Sequence, residues 1–107
     1  MIVEKMIEKS FGIAVRIFRE RLGLSQEELA LRCCLHRTYI SDIERGNRNV
    51  SLKNIEAIAN GLSISLEELF SEVEKQKFNK VIYINGSGLI HDYVKEFNKG
   101  FKLENYK

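Results

Sequence analysis

Leu35-His36-Arg37-Thr38-Tyr39-Ile40-Ser41-Asp42-Ile43-Glu44-Arg45-Gly46-Asn47-Arg48-Asn49 is the run around which this 107-residue chain is organised. At about 3.6 residues per turn, Ile40 and Ile43 share one helical face, and Leu35 closes it at the N-terminal end. Arg37, Thr38, Ser41 and Arg45 fall mostly on the opposite face. A helix this short is not stable alone in water, so its apolar stripe must dock on other helices. What stays exposed is a row of short hydrogen-bonding side chains and long cations. That row is either an ordinary solvated surface or a face that lies along a DNA groove, reading base edges and holding phosphates. Gly46 predicts the stop, because glycine takes a left-handed residue there without steric cost.

The residues on either side supply the helices on which such a face would dock. Ser25-Gln26-Glu27-Glu28 is a capping box, in which Ser25 accepts from the backbone N–H three residues on and Glu28 reaches back. Leu29 and Ala30 are the buried positions of a helix running to about Arg32, and Cys33–Cys34 make the turn. Two short helices joined by about three residues, the second with a polar exposed face, form a helix-turn-helix. Upstream, Ser10 to Leu22 repeats apolar residues at Phe11, Ile13, Ala14, Val15, Ile17, Phe18 and Leu22 and predicts a helix ended by Gly23. Met1–Glu8 is weakly helical, and either leads into that helix or frays. Downstream, Ser51 caps a helix whose core stripe is Leu52, Ile55, Ile58, Ala59 and Leu62. Ser65-Leu66-Glu67-Glu68 is a second capping box, and Leu66, Leu69, Phe70 and Val73 form the apolar side of a fifth helix.

Composition narrows the function classes. An apolar fraction of 44%, 30% charged residues and no proline suit a single helical domain with short turns. The first residues do not resemble a signal peptide, since Glu4 and Lys5 interrupt their apolar run, and no apolar run approaches the roughly 20 residues that span a bilayer. Cytoplasm is the expected compartment, with no membrane partner. The net charge of +2 is too small to argue for nucleic acid alone, and Lys9–Phe70 carries nine Lys/Arg against eight Asp/Glu. An electrostatic footprint must therefore come from cations gathered on one face. Cys33 and Cys34 are adjacent, which disfavours a bridge between them, and with His36 they lack metal-ligand spacing. Core or turn thiols are the expectation, with no metal and no cofactor. No carboxylate pair in an apolar setting, no activated nucleophile and no phosphate loop is evident. Gly86-Ser87-Gly88 lacks the lysine of a P-loop, and His91 reads as a surface or interface residue. An enzyme is not expected, nor is a small-molecule substrate.

Leu22-Gly23-Leu24-Ser25-Gln26-Glu27-Glu28-Leu29-Ala30, followed by Ile40-Ser41-Asp42-Ile43-Glu44-Arg45-Gly46, resembles the lambda-repressor-like (Cro/C1, Xre) helix-turn-helix family. The resemblance covers Phe11 to Phe70, with five helices in the family's order. His36-Arg37-Thr38-Tyr39-Ile40-Ser41, with Glu44-Arg45 and Arg48-Asn49, is similar to the controller proteins of restriction–modification systems, small dimeric regulators that bind operators near the endonuclease gene. The resemblance implies double-stranded DNA as partner. It implies Gln26 at a phosphate, and His36, Arg37, Thr38 and Tyr39 at the N-terminal end of the recognition helix. Ser41 and Asp42 then lie further along it, and Arg45, Asn47 and Arg48 reach phosphates or a groove edge. It also implies an ion pair between Arg19 and Glu44 that ties the first helix to the end of the recognition helix. Where the family usually has glycine with positive φ, this chain has Cys34, so its turn either opens differently or carries a strain of about 1 kcal/mol.

The expected fold is mainly α: a five-helix lambda-repressor-like DNA-binding domain (residues 1–73) followed by a strand-plus-helix extension (74–107). Phe78–Ile84 is rich in β-branched and aromatic residues and reads as a strand, Asn85-Gly86-Ser87-Gly88 as a turn, and Leu89–Phe97 as a helix with one apolar face. A lone strand cannot satisfy its backbone, so it pairs with a second subunit or packs back on the helices. The expected dimer interface comprises Leu66, Leu69, Phe70, Ile82, Ile84, Tyr93 and Phe97. The function expected is a sequence-specific transcriptional regulator binding a near-palindromic operator as a homodimer. The alternative is an antitoxin-type or phage regulator whose tail binds a partner protein.

Overall fold

Three of the described helices begin where the sequence places a capping serine. A computed structural model describes the backbone of residues 6–85 and the side chains of residues 7–77. It contains α1 (Met6–Arg21), α2 (Gln26–Cys33), α3 (Arg37–Glu44), α4 (Leu52–Gly61) and α5 (Leu66–Asn85), and no strand among the described residues. Before α2, the Ser25 Oγ accepts from the Glu28 N–H at 3.0 Å while the Ser25 N–H donates to Glu28 Oε1 at 2.8 Å. That backbone bond, with the Ser25 hydroxyl, holds the Glu28 carboxyl below its usual pKa. The same reciprocal pair forms before α5 between Ser65 and Glu68, each bond 3.0 Å long. Before α4, Ser51 Oγ accepts from the Asn54 N–H at 3.2 Å.

The core is one cluster to which every helix contributes. Val15 of α1, Leu29 of α2, Ile40 and Ile43 of α3, Ile58 of α4, and Leu69 and Val73 of α5 are all fully buried, as is Leu62 just after α4. Burial of side chains this size stabilises by about 1.5–3 kcal/mol each before chain entropy is counted. The stripe that α3 needs for docking is therefore met by α1 and α2, which both pack against it. At one crossing the backbones nearly touch. A Cβ built on Gly12 of α1 would lie 2.2 Å from the Ile43 carbonyl oxygen and 2.9 Å from that of Glu44. Only glycine fits there, so the general cost of glycine inside a helix is offset by close helix–helix approach.

The structure corrects several expectations. Phe78–Ile84 is not a strand: α5 continues through it to Asn85. Once the capping box has nucleated the helix, each added residue costs little, and neither glycine nor proline occurs between Ser65 and Asn85 to stop it. Helical continuity outweighs the local β preference of Val81, Ile82 and Ile84, which depends strongly on context. The strand-plus-helix description of the extension is thus not supported, and Ile82 and Ile84 lie on helical backbone. The expected turn at Gly86–Gly88, the helix Leu89–Phe97, and Tyr93 and Phe97 with it, lie outside the described residues. Of the two alternatives for the residues before Ser10, the described ones lead into the first helix, which starts at Met6. Leu52, expected in the α4 stripe, is 78% exposed because it is the first residue of its helix, one turn short of the packed face. Leu69, expected at a dimer interface, is completely buried in the protomer's own core, whereas its neighbours Leu66 and Phe70 are partly exposed.

The turn between α2 and α3 keeps its left-handed geometry despite the cysteine. Cys34 sits at φ 58°, ψ 42°, and its N–H donates back to the Leu31 carbonyl at 3.3 Å. The chain carries the strain instead of opening the turn. Cys34→Gly should therefore stabilise the protein by about 0.5–1 kcal/mol, the left-handed penalty less the greater unfolded-state freedom of glycine. Urea unfolding measures this, and a less stable variant contradicts the strain.

Candidate nucleic-acid interface

Glu44, the last residue of α3, is the point where three segments meet. Arg19 of α1 donates from Nε to Glu44 Oε2 at 2.6 Å and from Nη2 to Oε1 at 3.0 Å. The remaining guanidinium nitrogen donates to the Leu24 carbonyl at 2.6 Å, in the connection before α2. Gln26, the first residue of α2, donates from Nε2 to Glu44 Oε1 at 3.0 Å. The side chains of Arg19 and Glu44 are 11% and 4% exposed, so this is a largely desolvated bidentate pair. The Glu44 hydrogen bonds hold the arginine's pKa above its ordinary value, outweighing the opposing effect of burial. Arg19 is thus charged at every pH the fold experiences.

Around this anchor, α3 turns its polar side outward. His36 occupies the N-cap position in extended conformation, and its side chain makes no capping bond. Its imidazole is exposed, as are Arg37 and Thr38 after it. The first-turn N–H groups of α3 and its dipole give this end a partial positive charge. Tyr39 is half-buried: its phenol oxygen accepts from Asn54 Nδ2 at 3.1 Å, and the Arg48 guanidinium lies 5.0 Å from its ring centroid. Arg45 donates to Ser41 Oγ at 2.8 Å and pairs with Asp42, and Arg48 approaches the other Asp42 oxygen at 3.3 Å. Asn47 is exposed beyond the helix. His36, Thr38, Tyr39, Arg48 and Asn54 line one open concavity with Cys34 and Leu35.

The nine residues expected from His36 to Arg48 therefore lie on α3 and its flanking segments, but they are not equivalent. His36, Arg37, Thr38 and Asn47 are presented outward, whereas Ser41 and Asp42 spend their side chains on arginines. Gln26, expected at a phosphate, uses one amide hydrogen on Glu44 and retains a second. The Arg19–Glu44 pair stands as the resemblance implied. Two participants escaped sequence reasoning. Gly12 carried a signal, an isolated glycine within a helical apolar pattern. Asn54 carried none, since its link to Tyr39 spans fifteen residues and depends on the loop path. Burial raises the Cys33 thiol to about 11, which keeps it protonated at neutral pH, and among the described residues no group of His, Cys, Asp and Glu is placed to hold a metal. No described helix is long and apolar enough to cross a membrane.

The model of the HTH_3 helix-turn-helix family matches residues 15–69, the segment from α1 into α5 that contains this geometry. The chain belongs to that helix-turn-helix family. This helix-turn-helix protein is 52% identical over 71 residues to the control protein C.MunI of Mycoplasma sp, an alignment covering 65% of this chain and 96% of the relative. Among solved structures, the restriction–modification controller protein C.AhdI from Aeromonas hydrophila is 48% identical, with a TM-score of 0.58, over 59% of this chain and 96% of that one. The controller C.Esp1396I, solved as a tetramer with its natural 35-base-pair operator, is 35% identical with a TM-score of 0.63, over 66% of this chain and 93% of that one. The likeness to controller proteins seen in the recognition-helix residues is borne out.

The anchor yields a prediction. Glu44→Ala in this helix-turn-helix protein should lose about 3 kcal/mol, because it leaves a buried guanidinium unpaired. Denaturant unfolding checks this, and a loss below about 0.5 kcal/mol, the scale of an exposed pair, contradicts the anchor.

Proposed function

We propose that this helix-turn-helix protein is a sequence-specific transcriptional regulator of the restriction–modification controller kind, acting as a homodimer on a near-palindromic operator. The observation that carries the proposal is α3 itself: fixed by a buried ion pair at its C-terminal end, it presents His36, Arg37 and Thr38 at its open N-terminal end. Placed in a major groove, Arg37 matches the O6 and N7 acceptors of guanine, and Thr38 can meet a thymine methyl. His36 and Tyr39 lie beside them, and the second amide hydrogen of Gln26 suits a phosphate at the start of α2. Arg45, Asn47 and Arg48 face the backbone or the groove edge, with Ser41 and Asp42 behind the arginines. The operator-bound relative supports DNA as the partner, and a regulator of this kind acts in the cytoplasm as a binding protein, not an enzyme.

For the dimer, Leu66 and Phe70 offer partly exposed apolar surface on α5, with the Phe70 ring centroid 6.2 Å from that of Phe11. We also assign the apolar residues Ile82, Ile84, Tyr93 and Phe97 to self-association, which makes residues 74–107 a dimerisation element in our proposal.

Two measurements test the assignment. Arg37→Ala should cost about 1–3 kcal/mol of binding and relax preference at one base position per half-site, whereas Gln26→Ala should weaken all duplexes about equally. Equal losses for Arg37→Ala on selected and random DNA would make it a backbone contact. Deleting residues 78–107 should weaken self-association at least about tenfold by sedimentation equilibrium. Undiminished dimerisation would remove the tail from the interface and favour a role in binding a partner protein.

A further inference from the structure

One carboxylate stands among the cations of the recognition surface. Asp42 has a side chain only 20% exposed, and both of its oxygens are engaged. Oδ1 pairs with Arg45, and Oδ2 accepts from Arg48 Nη2 at 3.3 Å and Nε at 3.4 Å. The two arginines come from different segments, one closing α3 and one in the connection to α4. Each has a second partner that narrows its orientation. Arg45 donates to Ser41 Oγ at 2.8 Å, and Arg48 lies over the Tyr39 ring, which Asn54 holds in turn at 3.1 Å. The guanidiniums of Arg45 and Arg48, on side chains 60% and 49% exposed, stand in water, which screens both pairs, so stability does not account for the convergence of two cations on one acid.

We propose that Asp42 is a specificity-determining positioning residue: by holding Arg45 and Arg48 it suppresses sequence-independent DNA binding and reserves both guanidiniums for duplexes on which α3 is seated. The inference rests on the DNA-binding assignment above and goes beyond it. An Asp42 oxygen could accept from a cytosine amino group only by giving up an arginine, so base reading is the poorer use of this side chain. Against phosphate the carboxylate repels. With Asp42 ionised, the three side chains together carry one positive charge instead of two. Sequence-independent affinity follows the number of phosphates neutralised, so this acid lowers it directly. Once α3 lies in its groove, phosphates stand near both arginines, and their oxygens replace the carboxylate as partners for the guanidinium fork.

Asp42→Asn preserves shape and removes the charge. Binding is measured across a salt series to two duplexes of equal length, one selected by the wild-type chain from a random pool and one of random sequence. Affinity for the random duplex should rise about five- to tenfold, and its log–log salt slope should steepen by about 0.9, one further phosphate. Affinity for the selected duplex should change less than about threefold, so the specificity ratio falls. In an Arg45→Ala/Arg48→Ala background the same substitution should raise random-duplex affinity less than about twofold, because only the carboxylate's direct repulsion of phosphate is left to remove. Asp42→Ser takes its place if the Asn variant melts below the assay temperature. A loss confined to one base pair per half-site would make Asp42 a base reader and overturn the proposal, as would an unchanged specificity ratio. A wild-type chain that enriches no sequence overturns the DNA-binding assignment and this inference with it; enrichment with an unaltered ratio in the variant overturns this inference alone.

Discussion

The structure depends on the burial of one charge pair at the C-terminal end of the recognition helix. Removing Arg19 and Glu44 from water is unfavourable unless their hydrogen-bonding capacity is used, and here it is. The arginine has the two Glu44 oxygens and the Leu24 carbonyl, and Glu44 has Gln26 as well. Because those partners come from α1, from its connection to α2 and from the first residue of α2, the pair sets the position of three segments at once. The Gly12 crossing is its steric counterpart. With the α1 backbone against the Ile43 and Glu44 carbonyls, α3 cannot slide along α1 without collision.

What this anchoring leaves for function is the far end of α3. Its N-terminus follows a turn strained at Cys34, its apolar stripe is buried through Ile40 and Ile43, and its remaining side chains face outward. The chain as a whole is close to neutral, with a net charge of +2, so attraction to DNA comes from placement. Arg37, Arg45 and Arg48 lie on α3 and the segment just after it, and Asp42 offsets part of their charge. A rigid scaffold, a few directed donors and a moderated positive field favour selectivity over tight indiscriminate binding.

Much of this was legible in the sequence, because its determinants are local. Capping boxes at Ser25 and Ser65 and apolar spacing in α1 to α4 act within a turn or two, and the family resemblance supplied the Arg19–Glu44 pair; at Cys34 it marked the turn but left open whether the backbone opens or stays left-handed. What escaped was set by distant contacts. Gly12 matters because of Ile43 and Glu44, and Asn54 because of Tyr39; Gln26 turned partly toward an acid eighteen residues away. Leu69 and Leu52 each sat on the apolar side of a pattern, but periodicity alone does not say which leucine reaches the core and which stands at a helix start. At Val81–Ile84 composition misled, since β-branched residues describe a preference that an already nucleated helix overrides.

Selection of bound duplexes from a random pool by the full chain reads base preference and half-site spacing together. A dimer with α3 in successive major grooves enriches two half-sites related by two-fold symmetry, their centres about 34 Å apart or a multiple of one DNA turn. Failure to enrich any sequence, or enrichment of single unpaired half-sites, would contradict a dimeric, sequence-reading recognition helix.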